Sequence, residues 1–327
     1  VDSSTAALLL KEAGHNVIGA TMAIWGDKGM SVKINPSSHG ACLGPDEKED
    51  IESAKKVCEE LGIEFHVFDC ASKYDEIVLK NFRDEYLKGR TPNPCVWCNS
   101  LIKFDVLPYI AKENGLKFDK FATGHYARVE KVDDRYLLKR GVNPHKDQSY
   151  FLYRLKQRQL ENILLPLGRY TKEEIRQIAS KAGLEVADKP DSQDFYEGDY
   201  NELLGVSPKH GNIVDMSGKV LGEHEGVWNY TIGQRKGLGI SSTEALYVVE
   251  LRGETNEVVV GFKDKTFKDR LVADDLNWIA FDKLEGEIKC QAKIRSTQTH
   301  TDVTVRPIGE DKIEVVFDDM QKSIAPG

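Results

Sequence analysis

The N-terminal stretch 1-VDSSTAALLLKEAGHNVIGATMA-23 decides the fold class. Residues 5–13 are strong helix formers and end at a glycine, which favours a helix stop. Residues 16–23 form an apolar run typical of a buried strand. The alternation repeats with an amphipathic helix over 46–62 and a strand over 63–68. Strands that alternate with helices predict an α/β fold whose parallel sheet is covered by helices.

The rest of the chain predicts more of this fold and then a change of character. From about residue 211, short β-rich runs alternate with glycines and charges, which is typical of small barrels or sandwiches. Upstream, the pattern predicts helices over 74–87, 102–114, from Tyr150 onward and over 172–182, a strand starting at 120–123, and a hairpin of 126–129 with 135–139.

Composition excludes several classes of protein. The chain has 327 residues, with 40% hydrophobic and 9% aromatic side chains, so a wholly disordered chain is excluded. No apolar run approaches the roughly 18 residues of a membrane span, which predicts no membrane association. Six cysteines in a chain of this length do not form a disulfide framework. A reducing compartment, the cytoplasm, is therefore expected.

One basic block lies within an acidic protein. The formal net charge is −8, yet residues 103–190 carry 18 Lys and Arg against 12 Asp and Glu. A solvated helical face is one interpretation of such a block. The other is a polyanion such as RNA, because clustered Lys and Arg gain affinity from counterion release.

The stretch 91-TPNPCVWCN-99 is the strongest chemical signal. Its two prolines hold the backbone extended and present Cys95 and Cys98, three residues apart, before a helix. A thiol at a helix N-terminus has a lowered pKa, which predicts a nucleophile or a metal ligand. A pair of small buried apolar side chains is the competing interpretation.

Weaker signals lie at the ends of elements. Asp2, Ser3 and Ser4 precede the first helix, where they cap free amides or help to bind a phosphate. Gly124 follows a predicted strand and permits a close backbone approach just before His125. Residues 229–240 place Gln, Arg and Lys among glycines, which suits either a nucleic-acid backbone or a glycine-rich turn.

With these motifs in order, the chain resembles the tRNA-specific 2-thiouridylases, the MnmA/TrmU family, over its whole length. The family motif around residues 1–4 begins upstream with Ser-Gly-Gly, so the chain is expected to start inside the pyrophosphate loop. At its other end, 325–327, the chain is expected to stop short of the last barrel strands of the family. The resemblance is carried by VDSSTAALLL, TPNPCVWCNSLIKF, ATGHYARV, KDQSYFL, LPLGRYTKEEIR, KPDSQDF, HEGVWNYTIGQRKGLGI, LYVVEL, TNEVVVG, DDLNW and CQAKIR.

The resemblance implies three domains and one reaction. Residues 1–196 would form a parallel-sheet N-type ATP pyrophosphatase (PP-loop) domain, 197–261 a small tRNA-binding central domain, and 262–327 an incomplete C-terminal β-barrel. ATP with Mg²⁺ would adenylate the 2-oxygen of wobble uridine 34, and a protein-borne sulfur would displace AMP. The implied partners are tRNAs for Lys, Glu and Gln, contacted at the anticodon stem-loop, and a cysteine desulfurase or sulfur-relay protein.

The resemblance also assigns roles to residues of this chain. Cys98 matches the first sulfur-handling cysteine of the family and is expected to be catalytic together with Cys95. The expected ATP contacts are Val1, Asp2, Ser3, Met22 and Gly124. The expected tRNA contacts are Asn93, Pro94, Cys95, His125, Lys146, Asp147, Gln148, Arg295 and Ser296.

Two positions depart from the family pattern. Cys95 replaces an aspartate proposed as a general acid or base, and Tyr196 stands where the persulfide-carrying cysteine is expected. Two sulfur routes follow as hypotheses. Cys98 accepts a persulfide and Cys95 resolves it, or both thiolates ligate a [4Fe–4S] cluster with Cys42 as the third ligand.

Two other functions compete with the sulfurtransferase. One is a PP-loop ATP pyrophosphatase acting on a small molecule, which the basic block and the β-rich modules disfavour. The other is a non-catalytic RNA-binding module with zinc on Cys95 and Cys98, for which two cysteines fall short of four ligands.

Overall fold

The computed structural model describes residues 1–25, 42–44, 46–184, 195–196 and 199–327. These residues form two compact units. The first contains Val1–Leu79 and Pro94–Leu203, and the second contains Lys80–Asn93 and Leu204–Gly327. Within the described ranges, no helix is both long and apolar enough to cross a membrane.

The first unit alternates strands and helices, as the sequence predicts. Its strands are β1 (Ile18–Ala23), β2 (Glu64–Asp69), β3 (Phe121–Ala122), β4 (Ala127–Val132), β5 (Arg135–Arg140) and β6 (Ile163–Leu164). Its helices are α1 (Asp2–Glu12), α2 (Glu47–Leu61), α3 (Ala71–Tyr74), α5 (Pro94–Trp97), α6 (Leu107–Glu113), α7 (Gln157–Leu160), α8 (Lys172–Lys181) and α9 (Tyr200–Leu204); α4 (Lys80–Leu87) belongs to the second unit. Two π-helical stretches, Asp75–Leu79 and Cys98–Val106, extend α3 and α5.

Parallel pairing confirms the predicted α/β class. Strand β1 pairs in parallel with β2, from Ile18 opposite Glu64 to Ala23 opposite Asp69. Strand β3 pairs in parallel with β6. Parallel neighbours need a crossover connection, which α2 provides between the first two strands. Residues of both pairs line a cavity of about 390 Å³.

Helix α1 is held by packing on two sides. On one side Ala6 joins a buried cluster with Tyr126, Leu167 and Ile175. On the other, Leu8 joins a buried cluster that includes residues of α2 and α8. The first turn of α1 is therefore fixed in place by the core behind it.

Helix α8 begins at the predicted residue, Lys172, and Thr171 is its N-cap. The Thr171 hydroxyl accepts a hydrogen bond from the Glu174 amide at 3.2 Å, and the Glu174 carboxylate accepts one from the Thr171 amide at 2.7 Å. This reciprocal capping box satisfies two amides that the helix leaves free.

Two local predictions need correction, and a third, the hairpin, is confirmed. The helix expected from Tyr150 is a 3₁₀ turn, Ser149–Leu152. The helix expected over 102–114 begins earlier, at Pro94, and runs through the π-helical stretch. The β4–β5 hairpin forms without a glycine because Asp133 adopts a positive φ of 52°, a conformation that aspartate tolerates better than most residues.

The second unit contains two four-stranded sheets. The first has the order β8-β7-β10-β9, from strands β7 (Gly211–Asp215), β8 (Val220–His224), β9 (Tyr247–Arg252) and β10 (Glu257–Gly261). The other has the antiparallel order β11-β14-β13-β12, from strands β11 (Phe267–Ala273), β12 (Ile288–Ala292), β13 (Thr301–Ile308) and β14 (Lys312–Lys322). This β-rich composition agrees with the sequence prediction.

The segment Lys80–Asn93 packs with the second unit although it lies between parts of the first in sequence. The Thr91 amide donates to the Pro326 carbonyl at 2.7 Å. A Cβ added at Gly253 would lie 2.5 Å from the Lys88 carbonyl carbon, so this glycine permits the close approach. The chain therefore passes from the first unit into the second and returns within the thiol motif, between Asn93 and Pro94.

Candidate active site

A cavity of about 400 Å³ opens at the carboxyl ends of the parallel strands. Ligands gather at this edge in α/β proteins. The cavity brings together seven of the residues singled out in the sequence: Met22, Cys42, Pro94, Cys95, Cys98, His125 and Gln148. It is the candidate active site.

The π-helical register of Cys98–Val106 arranges one wall of the cavity. In a π-helix the backbone bonds run from i to i+5, so residues four and five apart share a face. Cys98, Asn99 and Lys103 all line the cavity as a result. The spacing of five between Cys98 and Lys103 would place them on different faces of a regular α-helix, so the sequence pattern alone missed Lys103.

The Cys98 thiol differs from the sequence prediction. Cys98 is 8% exposed and lies inside the helical run, one turn beyond its start at Pro94. Burial raises its pKa to about 11, although the Lys103 cation lowers it in part. The expected lowering by a helix N-terminus is therefore wrong for Cys98, which holds its proton at neutral pH.

Lys103 and Tyr74 are cavity residues that the sequence pattern did not single out. Burial lowers the pKa of Lys103, but Cys98, Cys42 and Cys95 raise it further, so the pKa lies above its usual value. Burial raises the pKa of Tyr74 far above its usual range, and the same three cysteines add to the rise. One cation thus interacts with all three thiols.

His125 is neutral in this cavity. Burial, with the Lys103 cation as the second cause, lowers the pKa of His125 to about 3. The His125 Nδ1 atom lies 2.7 Å from the Thr123 hydroxyl, and its ring lies 5.8 Å from that of Phe104. His125 therefore offers a neutral hydrogen-bonding group rather than a positive charge to a phosphate.

We predict that alkylation of Cys98 by iodoacetamide accelerates steadily between pH 7 and pH 10. Below a pKa of about 11, each pH unit increases the thiolate fraction about tenfold. Peptide mass spectrometry would measure the rate at each pH. Lys103→Met should slow the reaction further because Lys103 lowers the pKa of the thiol. A rate that reaches its plateau below pH 9 would contradict this account.

The start of α1 lies beside the residue that precedes His125. A Cβ at Gly124 would lie 2.6 Å from the carbonyl carbon of Asp2 and 2.7 Å from the amide nitrogen of Ser3. The close backbone approach predicted for Gly124 is therefore made to the first turn of α1. Val1 precedes that turn, and its carbonyl accepts from the Thr5 hydroxyl at 2.9 Å.

The Asp2 carboxylate anchors the turn rather than capping it. The Asp2 Oδ1 atom accepts hydrogen bonds from Lys172 Nζ at 2.7 Å and from the Tyr126 hydroxyl at 2.8 Å. The Lys172 side chain is 4% exposed, and a buried ammonium requires such a partner. Helix α1 has no side-chain cap, so the capping role considered for Asp2 is wrong. Ser3 lines the neighbouring 390 Å³ cavity.

The residues expected near tRNA divide into three groups. Gln148 lines the cavity, and its side-chain oxygen accepts the Tyr126 amide at 2.9 Å. Lys146 and Asp147 lie in the preceding turn, where Asp147 accepts from the amides of Gly141 and Ser149. Asn93, Arg295 and Ser296 belong to the second unit, in which Arg295 donates to the Ser323 carbonyl at 3.0 Å.

Tyr196 has a structural environment. Its side chain is buried, its hydroxyl donates to the Glu202 carboxylate at 2.8 Å, and its ring stacks on that of Tyr200. The neighbouring Phe195 carbonyl accepts from the Leu43 amide at 3.1 Å, which brings the Cys42 segment next to this position. Most of the KPDSQDF motif, residues 189–194, lies outside the described residues.

The donors for a metal cluster are present but not grouped. Three thiols face one cavity, and thiolates are the usual ligands of iron–sulfur clusters. In the parts of the chain that the structure describes, no group of three or more His, Cys, Asp or Glu side chains is spaced to hold a metal ion.

Comparison with protein families covers nearly the whole chain. Residues 1–196 match the tRNA methyl transferase HUP domain, a family that binds ATP. Residues 202–262 match the tRNA methyl transferase PRC-barrel domain, and residues 268–327 match the aminomethyltransferase beta-barrel domain. A HUP domain followed by two barrel-type domains agrees with the fold class predicted from the sequence.

Individual relatives show the same extent of similarity. The tRNA-specific 2-thiouridylase MnmA of Endomicrobium trichonymphae is 45% identical over 333 residues, which cover 100% of this chain and 91% of the relative. The MnmA proteins of Clostridium botulinum (strain Alaska E43) and Carboxydothermus hydrogenoformans are 45% and 44% identical, with 100% of this chain and 90% of each relative covered. Identity at this level over the full chain, together with the matching domain models, shows that the chain belongs to the tRNA-specific 2-thiouridylase family.

Proposed function

We propose that this protein is an ATP-dependent tRNA sulfurtransferase, which replaces the 2-oxygen of the wobble uridine, residue 34, with sulfur. The observation that carries the proposal is the shared cavity of three thiols, Lys103 and the end of β1. The relatives are named 2-thiouridylases, whereas two of the matching family models carry the words methyl transferase. Thiols that line the cavity favour sulfur transfer over methyl transfer.

ATP enters as its Mg²⁺ complex at the start of α1. Helix N-termini bind phosphate through free amides and a favourable dipole. The core fixes this turn, and Gly124 leaves room for it. Val1, Asp2, Ser3 and Gly124 form the phosphate side of the nucleotide site, and Met22 contacts the adenosine. Asp2 acts there by holding the turn through Lys172 and Tyr126.

Activation and replacement are two successive steps. The uridine 2-oxygen attacks the α-phosphate of ATP, pyrophosphate leaves, and the oxygen becomes part of a good leaving group. Sulfur held at Cys98 then forms the bond to C2, and AMP departs with the oxygen. Lys103 interacts electrostatically with all three thiols, and it stabilises the negative charge on sulfur.

Cys42, Cys95 and Cys98 are thiols of the type that ligates a [4Fe–4S] cluster and line one cavity, but in the described residues they are not spaced as a metal site; if a cluster binds, these three residues would hold it. When bound, such a cluster supplies an iron with a vacant position for sulfide. The alternative needs only two of the thiols. In it, a Cys98 persulfide transfers its outer sulfur to C2, the Cys95 thiolate forms a disulfide with Cys98, and a thiol reductant restores both.

We predict that Cys42→Ser separates these routes. On the cluster route, the wild type should hold about four irons and show visible absorbance after anaerobic reconstitution with iron and sulfide, and Cys42→Ser should lose both along with thiolation. Iron analysis and visible spectroscopy measure this directly. A colourless, iron-free enzyme that retains full activity would rule the cluster out and leave the Cys95–Cys98 route.

The proposal extends to partners and organisation. The tRNAs are those for Lys, Glu and Gln, bound at the anticodon stem-loop, and the sulfur comes from a cysteine desulfurase or a relay protein in the cytoplasm. Residues 1–196, 197–261 and 262–327 serve as the catalytic domain, the central tRNA-binding domain and the barrel. Asn93, Pro94 and Cys95 approach the base, and His125, Lys146, Asp147, Gln148, Arg295 and Ser296 contact the tRNA.

The test of the function is mass spectrometry of nucleosides from tRNA incubated with the protein, ATP and a sulfur source, which is sulfide in one set of samples and a cysteine desulfurase with cysteine, a persulfide donor, in the other. We expect 2-thiouridine to form only when ATP is present. A methylated nucleoside, or an unchanged wobble uridine with active protein, would contradict the proposal. A flat response of tRNA binding to salt would also disfavour RNA as the substrate, because phosphate contacts make binding salt-dependent.

A further inference from the structure

Asn99 is the cavity residue whose hydrogen-bonding capacity is left incomplete. Its side chain is 4% exposed and lines the cavity beside Cys98. The Nδ2 atom donates to the Phe151 carbonyl at 3.3 Å. Among the described residues, the Oδ1 atom has no hydrogen-bond partner. A buried acceptor in this state is costly, and such a group in a native fold calls for a functional explanation.

The orientation of the amide is fixed by its neighbour. The Phe151 carbonyl can only accept, so the amide nitrogen must face it. The oxygen is then the atom that remains for a ligand. A ligand for Asn99 must therefore bring a hydrogen-bond donor into the cavity.

We propose that Asn99 Oδ1 selects uridine by accepting the hydrogen bond of its N3–H group. This inference rests on the proposed function. In uracil the N3 atom is bonded to C2, the atom that receives sulfur, and it carries a hydrogen. In cytosine C2 also carries an oxygen, but N3 has no hydrogen and is itself an acceptor. With cytosine, the two acceptors Asn99 Oδ1 and N3 would face each other with no proton between them.

The helix supplies the matching geometry. Cys98 and Asn99 are consecutive, and the π-helical stretch that they begin turns both toward the cavity. C2 and N3 are likewise consecutive atoms of the ring. When C2 lies at the Cys98 thiol, N3 therefore lies near Asn99. Asn99 reads the base before activation, because adenylation of the 2-oxygen removes the N3 proton.

The chemistry of the contact predicts strong discrimination. A site that is built to bond a substrate N–H rejects an analogue that lacks it by roughly 10⁴-fold, since its own polar group is left unpaired. An apolar wall could not separate uracil from cytosine in this way, because the two bases have nearly the same shape. Asn99 is therefore a specificity-determining residue and not a sulfur carrier.

The experiment compares tRNA-dependent pyrophosphate release by the full chain on transcripts with U34, C34 or 3-methyluridine at position 34. For the wild type we expect kcat/KM to be roughly 10⁴-fold higher with U34. Asn99→Ala should lower kcat/KM on U34 at least tenfold and leave C34 unchanged, so that the preference for U34 falls by the same factor. It should also reduce the difference in kcat/KM between U34 and 3-methyluridine. The substitution removes the acceptor that favours U34, and it removes the side chain that would clash with the N3 methyl group. The KM for ATP should not change.

Two variants keep the result interpretable. Asn99→Asp retains an acceptor oxygen and should preserve more of the U34 preference than Asn99→Ala. Ser100→Ala removes a buried hydroxyl that donates to the Val96 carbonyl within the helix, and it should leave the preference at the wild-type value. Melting curves would show that each variant folds.

Other results would overturn the inference. If Asn99→Ala lowers kcat/KM equally on U34 and C34, or raises the KM for ATP with the base preference intact, Asn99 does not read N3. If the wild type releases no pyrophosphate with any of the three transcripts, the proposed function itself fails, and the inference fails with it. The two failures are therefore distinguishable.

Discussion

Cys98→Ser should abolish tRNA thiolation while leaving ATP activation detectable. The expected loss is at least about 10³-fold, because the substitution removes the thiol that holds the transferred sulfur, and a hydroxyl cannot hold it. Nucleoside mass spectrometry would measure 2-thiouridine, and pyrophosphate release would measure activation in the same samples. We expect pyrophosphate release to continue for about one turnover, since the adenylated tRNA would accumulate.

A matched control is available in the second unit. Cys290 is exposed on β12, and Cys290→Ser should leave thiolation at the wild-type rate. Because Cys98 is buried, its substitution also requires a melting curve to show that the fold is kept. Thiolation by a folded Cys98→Ser variant at more than a few per cent of the wild-type rate would refute both sulfur routes.

Gly124→Ala should weaken ATP binding by about 10- to 100-fold. The added methyl would lie 2.6 Å from the Asp2 carbonyl carbon and 2.7 Å from the Ser3 nitrogen. These are backbone atoms that cannot swing away, and the first turn of α1 is held by Lys172 and the core. Overpacking of this kind costs about 1–3 kcal/mol, which corresponds to that range of affinity if the turn must shift to bind phosphate.

Isothermal titration calorimetry with ATP would test the effect of Gly124→Ala. Gly286→Ala is the matched control, because a methyl added there would have no heavy atom within 4 Å and the φ of Gly286 is not in the left-handed region. That variant should bind ATP as the wild type does. Unchanged ATP affinity in Gly124→Ala would remove the start of α1 from the nucleotide site.

Much of the first unit could be predicted from sequence because its signals are local. The α1 pattern with its glycine stop, the Thr171 capping box and the parallel βα alternation all depend on residues close in sequence. Gly124 was also predictable, since a glycine after a strand signals a close approach. The approach itself, to a turn more than 100 residues earlier in the chain, needed the structure.

The chemistry of the thiols was not predictable in the same way. The motif suggested a helix N-terminus and an acidic thiol at Cys98, but the helix begins at Pro94 and burial reverses the direction of the pKa change. The sequence pattern did not single out Lys103 and Asn99, because residues five and one positions from Cys98 do not share its face on a regular α-helix. A π-helical register depends on tertiary packing, which a linear pattern does not record.

The passage of residues 80–93 into the second unit has a consequence for engineering and for evolution. A fragment that ends at residue 196 would contain α4 without the second-unit residues that pack against it, so the apolar side of α4 would be exposed. A fragment that starts at residue 197 would lack α4 altogether. We therefore expect neither fragment to fold independently. We therefore expect chimaeras between homologues to fold only when this short insertion and the C-terminal modules are inherited from the same parent.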